Sequence, residues 1–344
     1  IQASLSGGFV NVPLPGTAQA SAAANTTLSN AMKVGATDLP LMAGSDITLV
    51  AGADLGSADV AATAAGTAAD VRIGDPADEP TSAKQVFVRS TTGDLRVVAS
   101  RDVVLENDRA TVYTTGLLAS AEQAPGAEGF GKGSATSTKL HANLITRGTG
   151  VNMTRQLPFM LGGGSVSLQA GGDLRTQSVG KASFVSDWTF HKSEVNADKS
   201  QSWWARYDLF DMGVATFGGG DITARAGGDV VDMGFVTATS GYKDDAGLVR
   251  RFGGGDVEVS ADGNIAGLLA KVGGGDGRVD AGLNIEGTAS RGAASLFYEN
   301  TQLQVQAAQD VLVDLITEAG LQGRGPSNGT DATASIGIAG LGGG

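Results

Sequence analysis

The chain contains no cysteine. Thiol catalysis, disulfide staples and thiolate metal sites are therefore excluded together. Histidine is nearly absent too: His141 and His191 lie 50 residues apart, too far for a sequence-local zinc motif. Proline supplies 8 residues, which rules out collagen-like and proline-rich chains. Aromatics make up 5%, so a core has to be built from Ala, Val, Leu and Ile, which suits a thin, elongated interior. No apolar run approaches the roughly 18 residues of a membrane-spanning helix, so no direct membrane insertion is expected. Basic residues are outnumbered 24 to 36, a net charge of −12. Nucleic-acid binding rests on Lys and Arg displacing counterions, so nucleic acid is not an expected partner, and anionic lipid is disfavoured for the same reason. The sequence opens at Ile1 without a charged segment before an apolar stretch, so any export signal is expected to lie outside it.

Glycine is abundant, at 53 of 344 residues, and 41% of residues are hydrophobic, enough for a folded core. An internal repeat organises both. Seven segments share one pattern: 46–55 (DITLVAGADL), 94–103 (DLRVVASRDV), 165–174 (SVSLQAGGDL), 221–230 (DITARAGGDV), 256–265 (DVEVSADGNI), 276–285 (DGRVDAGLNI) and 302–311 (QLQVQAAQDV). Each carries Asp or Asn eight residues after its opening position, followed by an aliphatic residue.

Within a copy, the positions one, three and five after the opening alternate with polar neighbours, as in Ile222, Ala224 and Ala226 or Val257, Val259 and Ala261. Period two predicts a short strand with one buried face. The third inward position is always alanine: Ala51, Ala99, Ala170, Ala226, Ala261, Ala281 and Ala307. A constriction that admits only a methyl group is expected there. Small residues follow, Gly52, Gly171-Gly172, Gly227-Gly228 or Gly263, where a left-handed backbone is cheap without a Cβ. The closing Asp or Asn is expected to bond nearby backbone N–H groups in a local turn. Leu55, Val103, Leu174, Val230, Ile265, Ile285 and Val311 are then expected to re-enter the core.

The openings are spaced by 48, 71, 56, 35, 20 and 26 residues. The short spacings match one coil of a parallel β-solenoid, and the long ones are read as two or three coils with loops, for roughly 15 coils and a rod on the order of 70 Å. A βαβ alternative needs helical crossovers, and only 58–69 and 302–321 have helix-like composition, the second reading better as strands. The prediction is an all-β, right-handed parallel β-helix running as one unit over 1–344, with loop or hairpin excursions. Segments 63–80 and 122–138 are expected to leave the shaft as loops. Gly342-Gly343-Gly344 repeats the triplet that precedes Ser165, Asp221, Asp256 and Asp276, so the stack is expected to continue.

The phrase GGGDITARAGGDV at 218–230, with its variants GGGSVSLQAGGDL and GGGDVEVSADGNI, resembles the repeats of filamentous-haemagglutinin-like large exoproteins of Gram-negative bacteria. The stretch WWARYDLFDMGVATFGGGD at 203–221 is similar to a recurring stretch in giant members of that group. The likeness covers most of 41–315. It implies a parallel β-helix shaft exported by two-partner secretion through an outer-membrane barrel partner. It also implies a place on the bacterial outer cell surface or in the medium, and adhesion to a glycan or protein receptor on host or neighbouring cells. The absence of cysteine fits a chain that crosses an oxidising periplasm unfolded.

Parallel β-helices also carry polysaccharide lyases and hydrolases, which need carboxylates about 5 to 10 Å apart. Asp208, Asp211, Asp229 and Asp232 form the densest such group, but Asp229 also closes a repeat copy like its equivalents. The bland reading, corner and loop residues without catalysis, is favoured, and no enzyme, cofactor or metal site is expected. A calcium roll fails on the sequence, because Val279 stands where a ligand Asp belongs. A stalk presenting a distal contact-dependent toxin domain is a further alternative.

One region departs from the shaft. Phe184, Trp188, Phe190, His191, Trp203, Trp204, Tyr207, Phe210 and Phe217 gather all three tryptophans into about a tenth of the chain. A hairpin excursion over 184–217 is predicted, with Phe190 pairing with Trp203 or Trp204 across its arms and 192–202 at its tip. Sealing of the shaft by these rings is favoured over display. If they are displayed, Trp188, Trp203, Trp204 and Tyr207 are the candidate partner-binding residues, and replacing Trp203 and Trp204 by Ala weakens attachment without unfolding the shaft.

Overall fold

The computed structural model describes residues 2–6, 33–34, 37–38, 43–75, 86–120, 122–125, 159–177, 185–192, 202–205, 207, 210, 212–244 and 246–318. Their regular structure is almost entirely strand, and the strands form large parallel sheets; Val185–Trp188 makes a single helical turn.

The repeat strands pair side by side in parallel. Asp46–Ala51, Leu95–Ala99, Val166–Ala170, Ile222–Ala226, Gly255–Ala261, the end of Leu269–Ala281 and Leu303–Ala307 form a first face. A second face stacks Val71–Ile73, Val103–Leu105, Leu174–Thr176, Val230–Val231, Ile265–Ala266 and Ile285–Glu286. A third stacks Val86–Ser90, Ala110–Thr114, Gly213–Thr216, Gly234–Thr237, the start of Leu269–Ala281, Ala294–Glu299 and Val313–Glu318. The chain visits the faces in rotation, first, second, third, then first again. One antiparallel strand, Gln2–Ser6, lies on the free edge of Asp46–Ala51.

The enclosed core is the one that the alternation predicts. Val97, Leu168, Ala224, Val259 and Val279 are buried in the first face, with Val103, Leu174, Val230 and Ile265 from the second and Val112, Val214, Phe235 and Leu296 from the third. Each fully buried Val or Leu contributes about 1.5–3 kcal/mol through the water it no longer orders. The seven alanines form one in-register column, Ala51 to Ala307. In the sixth copy Gly277 takes an inward position, and the methyl ends of Leu303 and Val272 occupy the space its side chain would fill.

Several expectations are corrected. Openings separated by 48, 71, 56 and 35 residues pair directly, so each spacing is one circuit and not two or three. The described stack is therefore seven strands deep on its first face, about 30 Å at 4.8 Å per strand. The extra length is spent at different corners: between the first and second faces before Val71–Ile73, between the second and third before Gly213–Thr216, and after the third face in the circuits that open at 94 and 221. Leu55 does not re-enter the core but is 82% exposed, and Val71, sixteen residues later, takes its place. Val311 bridges to Ile285 yet stays 48% exposed, because nothing among the described residues stacks on that last circuit. The proposed loop over 63–80 contains this second-face strand, Val71–Ile73, while 76–80 lie outside the described residues. The segment 58–69 is not helical; its Ala61 packs on Val50 and Val98, outside the first face.

The glycines of the repeat are also small for a different reason. Of those named, only Gly52 has a left-handed backbone (φ 74°). A Cβ on Gly227 would meet the carbonyl oxygen of Gly171 in the preceding circuit, and one on Gly228 would meet the Asp173 carboxylate. Close stacking selects glycine there. Left-handed φ is concentrated in the Gly-Gly-Gly runs, at Gly219 and Gly220 (φ 100° and 98°), where the third face turns into the first.

Candidate functional site

Of the closing Asp and Asn residues only Asp54 makes the expected local turn, accepting the N–H of Gly56; the others bond between circuits. Each accepts the backbone N–H of its equivalent one circuit on: Asp102 from Asp173 (3.0 Å), Asp173 from Asp229 (2.9 Å), Asp229 from Asn264 (2.7 Å), Asn264 from Asn284 (3.1 Å) and Asn284 from Asp310 (3.1 Å). In the first circuit Asp70 plays this part toward Asp102, while Asp54 bonds Gly56 instead. A second column runs through the opening residues, Asp46 to Asp94, Asp94 to Ser165, Ser165 to Asp221, Asp221 to Asp256 and Asp256 to Asp276. Both columns tie circuits together along the stack.

Asp229 is thus a rung of a structural ladder. Asp232 is buried with φ 53° and accepts the hydroxyl of Thr288 at 2.5 Å, another bond between circuits. Asp208 and Asp211 lie outside the described residues, as do His141 and Phe184. No group of three or more His, Cys, Asp or Glu placed to hold a metal occurs among the described residues.

The aromatic region covers the outer surface of the third face. Thr189–Lys192 pairs antiparallel with Ser202–Ala205, with Phe190 opposite Trp204 and His191 opposite Trp203, while 193–201, within the expected tip, lie outside the described residues. The hairpin does not stand alone. Ser202–Ala205 continues onto Thr239–Lys243, which pairs with Val249–Gly253, giving a four-stranded antiparallel sheet. The second hairpin is not signalled by aromatic density and comes from an excursion between the copies at 221 and 256.

All four candidate binding residues are buried. Trp188 and Tyr207 pack with Phe210, Phe217 and Met212 against Tyr113, Ala215 and Val236 on the outward side of the third face. Trp188 meets Phe210 edge-on at 5.4 Å between centroids, and Tyr113 meets Phe217 at 5.8 Å and 90°. Such edge-to-face pairs add about 0.5–1.5 kcal/mol beyond their buried area. Trp204 lies in a separate group with Phe159, Tyr242, Ala119 and Ala124, where the Tyr242 hydroxyl donates to the Pro125 carbonyl at 2.6 Å.

Trp203 leads into a buried polar network that sequence reasoning missed. Its ring lies over Gly241, where a Cβ would collide with it. Its indole Nε1 donates to the Thr239 hydroxyl at 3.0 Å, and that hydroxyl donates to Glu299 Oε2 at 2.6 Å. Arg251 Nε stands 3.4 Å from Glu299 Oε1, and Lys271 Nζ stands 3.9 Å from Oε2. The side chains of Glu299 and Lys271 are only 2% and 6% exposed. Burial pushes the Lys271 ammonium below the ordinary lysine range, and the nearby Glu299 charge opposes that shift. The network joins three antiparallel strands to two strands of the third face. Its groups stand on five different strands between Trp203 and Glu299, so no local motif marks them.

The third face ends in a row of hydroxyls that were also unforeseen. Thr114 donates to the Gly164 carbonyl (2.6 Å), Thr216 to Gly220 (2.8 Å) and Ser90 to Ser45 (2.8 Å), fastening the glycine corners. The signal was present as Ser or Thr at the end of the first four third-face strands, Ser90, Thr114, Thr216 and Thr237, which are in register.

The fold defines an all-β protein of stacked parallel strands, with an antiparallel layer sealed onto one face. Comparison with family models, curated proteins and solved structures finds no match to the chain.

Proposed function

We propose that this chain is a stretch of right-handed parallel β-helix serving as the structural or adhesive shaft of a secreted, filamentous-haemagglutinin-like exoprotein. The observation that carries the reading is the in-register column from Ala51 to Ala307, flanked by the Asp and Asn ladder from Asp70 to Asp310. A repeat whose polar side chains bond successive circuits serves extension along one axis. Right-handed winding follows from the handedness of parallel crossover connections. Asp229 and Asp232 are engaged between circuits, which supports the reading without catalysis.

The resemblance of 203–221 and 218–230 to the exoprotein repeats supports export through an outer-membrane barrel partner and residence at the outer cell surface. The receptor class that suits such a shaft is a glycan or protein on a host or neighbouring cell. Beads coated with the chain should attach saturably to epithelial or bacterial cells and should not degrade acidic or neutral polysaccharides. Polysaccharide turnover abolished by Asp208→Asn or Asp211→Asn would overturn the reading in favour of a lyase or hydrolase.

A further inference from the structure

Among the described residues, every hydrophobic side chain only half-buried against the main core stands on the first or the last circuit, as Ile47, Leu49 and Val88 do on the first and Leu303 and Val305 on the last. The same columns run through both ends. Ile47 heads the column that ends at Leu303, and Leu49 the one that ends at Val305. Val88 heads the column that ends at Ile316, which is 58% exposed. The Asp and Asn ladder is open in the same way. Among the described residues no acceptor precedes Asp70 in it, and no following N–H bonds the Asp310 carboxylate.

Displacing one copy of the chain by a full stack along the axis sets its first circuit on the last circuit of another copy. Ile47 then meets Leu303, Leu49 meets Val305, Val88 meets Ile316, and the Asp310 carboxylate receives the N–H of Asp70. Two last circuits do not fit each other in this way. Residues 303–318 carry Asp310, Asp314 and Glu318 and no basic residue, so like charges would be opposed, whereas the first circuit carries Arg72 and Arg89. One strand stands in the way of the head-to-tail contact. Gln2–Ser6 lies antiparallel on Asp46–Ala51, from Gln2 opposite Val50 to Ser6 opposite Asp46, and holds the edge that Leu303–Ala307 of another copy would take. The edges of Val71–Ile73 and Val86–Ser90 on the same side carry no strand among the described residues.

We propose that the two ends of the stack are the halves of one interface, which joins copies of this chain head to tail, and that Gln2–Ser6 is the guard that keeps it closed. The interface is heterologous, so it builds open filaments and not closed dimers. The guard works by occupying the row of backbone N–H and C=O groups on Asp46–Ala51 that another strand would otherwise pair with. It is only five residues long and the one antiparallel strand on the first face, so it can leave without disturbing the parallel ladder behind it. The inference uses only the stacking of strands and is independent of any role in attachment.

The absence of cysteine makes the test direct. Six strand spacings, about 29 Å, separate Val88 from Ile316 within one chain, so in Val88→Cys/Ile316→Cys a disulfide can form only between copies. The guard is weakened by Ser4→Pro/Leu5→Pro, since strand N–H groups alternate in direction and one of these two faces Asp46–Ala51. Mild oxidation of the full-length chain carrying all four changes should give a ladder of dimers, trimers and longer species on a non-reducing gel. Free thiols on monomers would overturn the proposal, as would linked dimers of the single variant Ile316→Cys, which require two last circuits to meet. With Ser4 and Leu5 restored the ladder should weaken by about tenfold or more, and an equal ladder would overturn the guarding role. As a second measurement without cysteine, the sedimentation mass of Ser4→Pro/Leu5→Pro should rise with concentration and return to that of the monomer when Ile316→Asp is added. A mass independent of concentration, or one that Ile316→Asp leaves unchanged, would also overturn the interface.

Discussion

Asp229 Oδ1 accepts the backbone N–H of Asn264, 35 residues later in the chain, at 2.7 Å, and Asp229 in turn donates its own N–H to Asp173. One side-chain oxygen thereby joins adjacent circuits at a corner where the backbone leaves the sheet hydrogen bonding. Asn fills the same place at 264 and 284, with the additional bond Asn284 Nδ2 to Asn264 Oδ1 at 3.1 Å. An acceptor oxygen is what the position requires, and a charge is not.

Asp229→Asn should accordingly leave stability within about 0.5 kcal/mol of the parent, whereas Asp229→Ala should cost on the order of 1 kcal/mol for the lost acceptor. Urea unfolding of both variants checks this. Equal losses would show that the carboxylate charge matters and not the bond geometry.

The alanine column predicts an overpacking effect. Ala226 lies between Ala170 and Ala261 in the first face and is buried. Ala226→Phe should destabilise by about 1–3 kcal/mol, since the stacked strands cannot separate without breaking their ladder bonds. An unchanged urea midpoint would show that the corner has room to spare.

Trp203 and Trp204 are predicted to matter first for folding. Both are buried, and Trp203 also donates to Thr239. Trp204→Ala should cost about 3–5 kcal/mol, as large-to-small changes of buried rings do. Trp203→Phe should cost less, chiefly the indole bond, about 0.5–1.5 kcal/mol. Thermal unfolding, with attachment measured per folded molecule, separates packing from recognition. Full stability combined with lost attachment would make the tryptophans recognition residues.

Lys271 gives the stack a signature in alkaline solution. Its folded pKa lies below the ordinary value of 10.5 because burial penalises the ammonium. Between the folded and unfolded values the unfolded chain binds more protons, so stability should rise with pH until about 10.5 and level off above it. Lys271→Met should lack this rise and be no less stable at pH 7, because Glu299 keeps Thr239 and Arg251 as partners. Urea titrations of both proteins from pH 7 to 11 provide the comparison. A parallel pH dependence in the two would assign the effect to another group.

The period-two alternation, the alanine at every third inward position and the recurring Asp or Asn were sufficient to foresee stacked parallel strands, because each depends on contacts that every circuit repeats. A pairing of Phe190 with Trp203 or Trp204 was expected from the sequence, and the folded structure decides for Trp204. Distance along the chain was not informative about distance in space: 71 residues separate Asp94 from Ser165, yet the two are hydrogen-bonded neighbours. Only the folded stack decided that each spacing is one circuit, that Val71 and not Leu55 enters the core, and that Gly227 is small because a backbone carbonyl lies against it. The tertiary structure alone assembled Trp203, Thr239, Arg251, Lys271 and Glu299, because a network drawn from strands of different circuits leaves no periodic trace in the sequence.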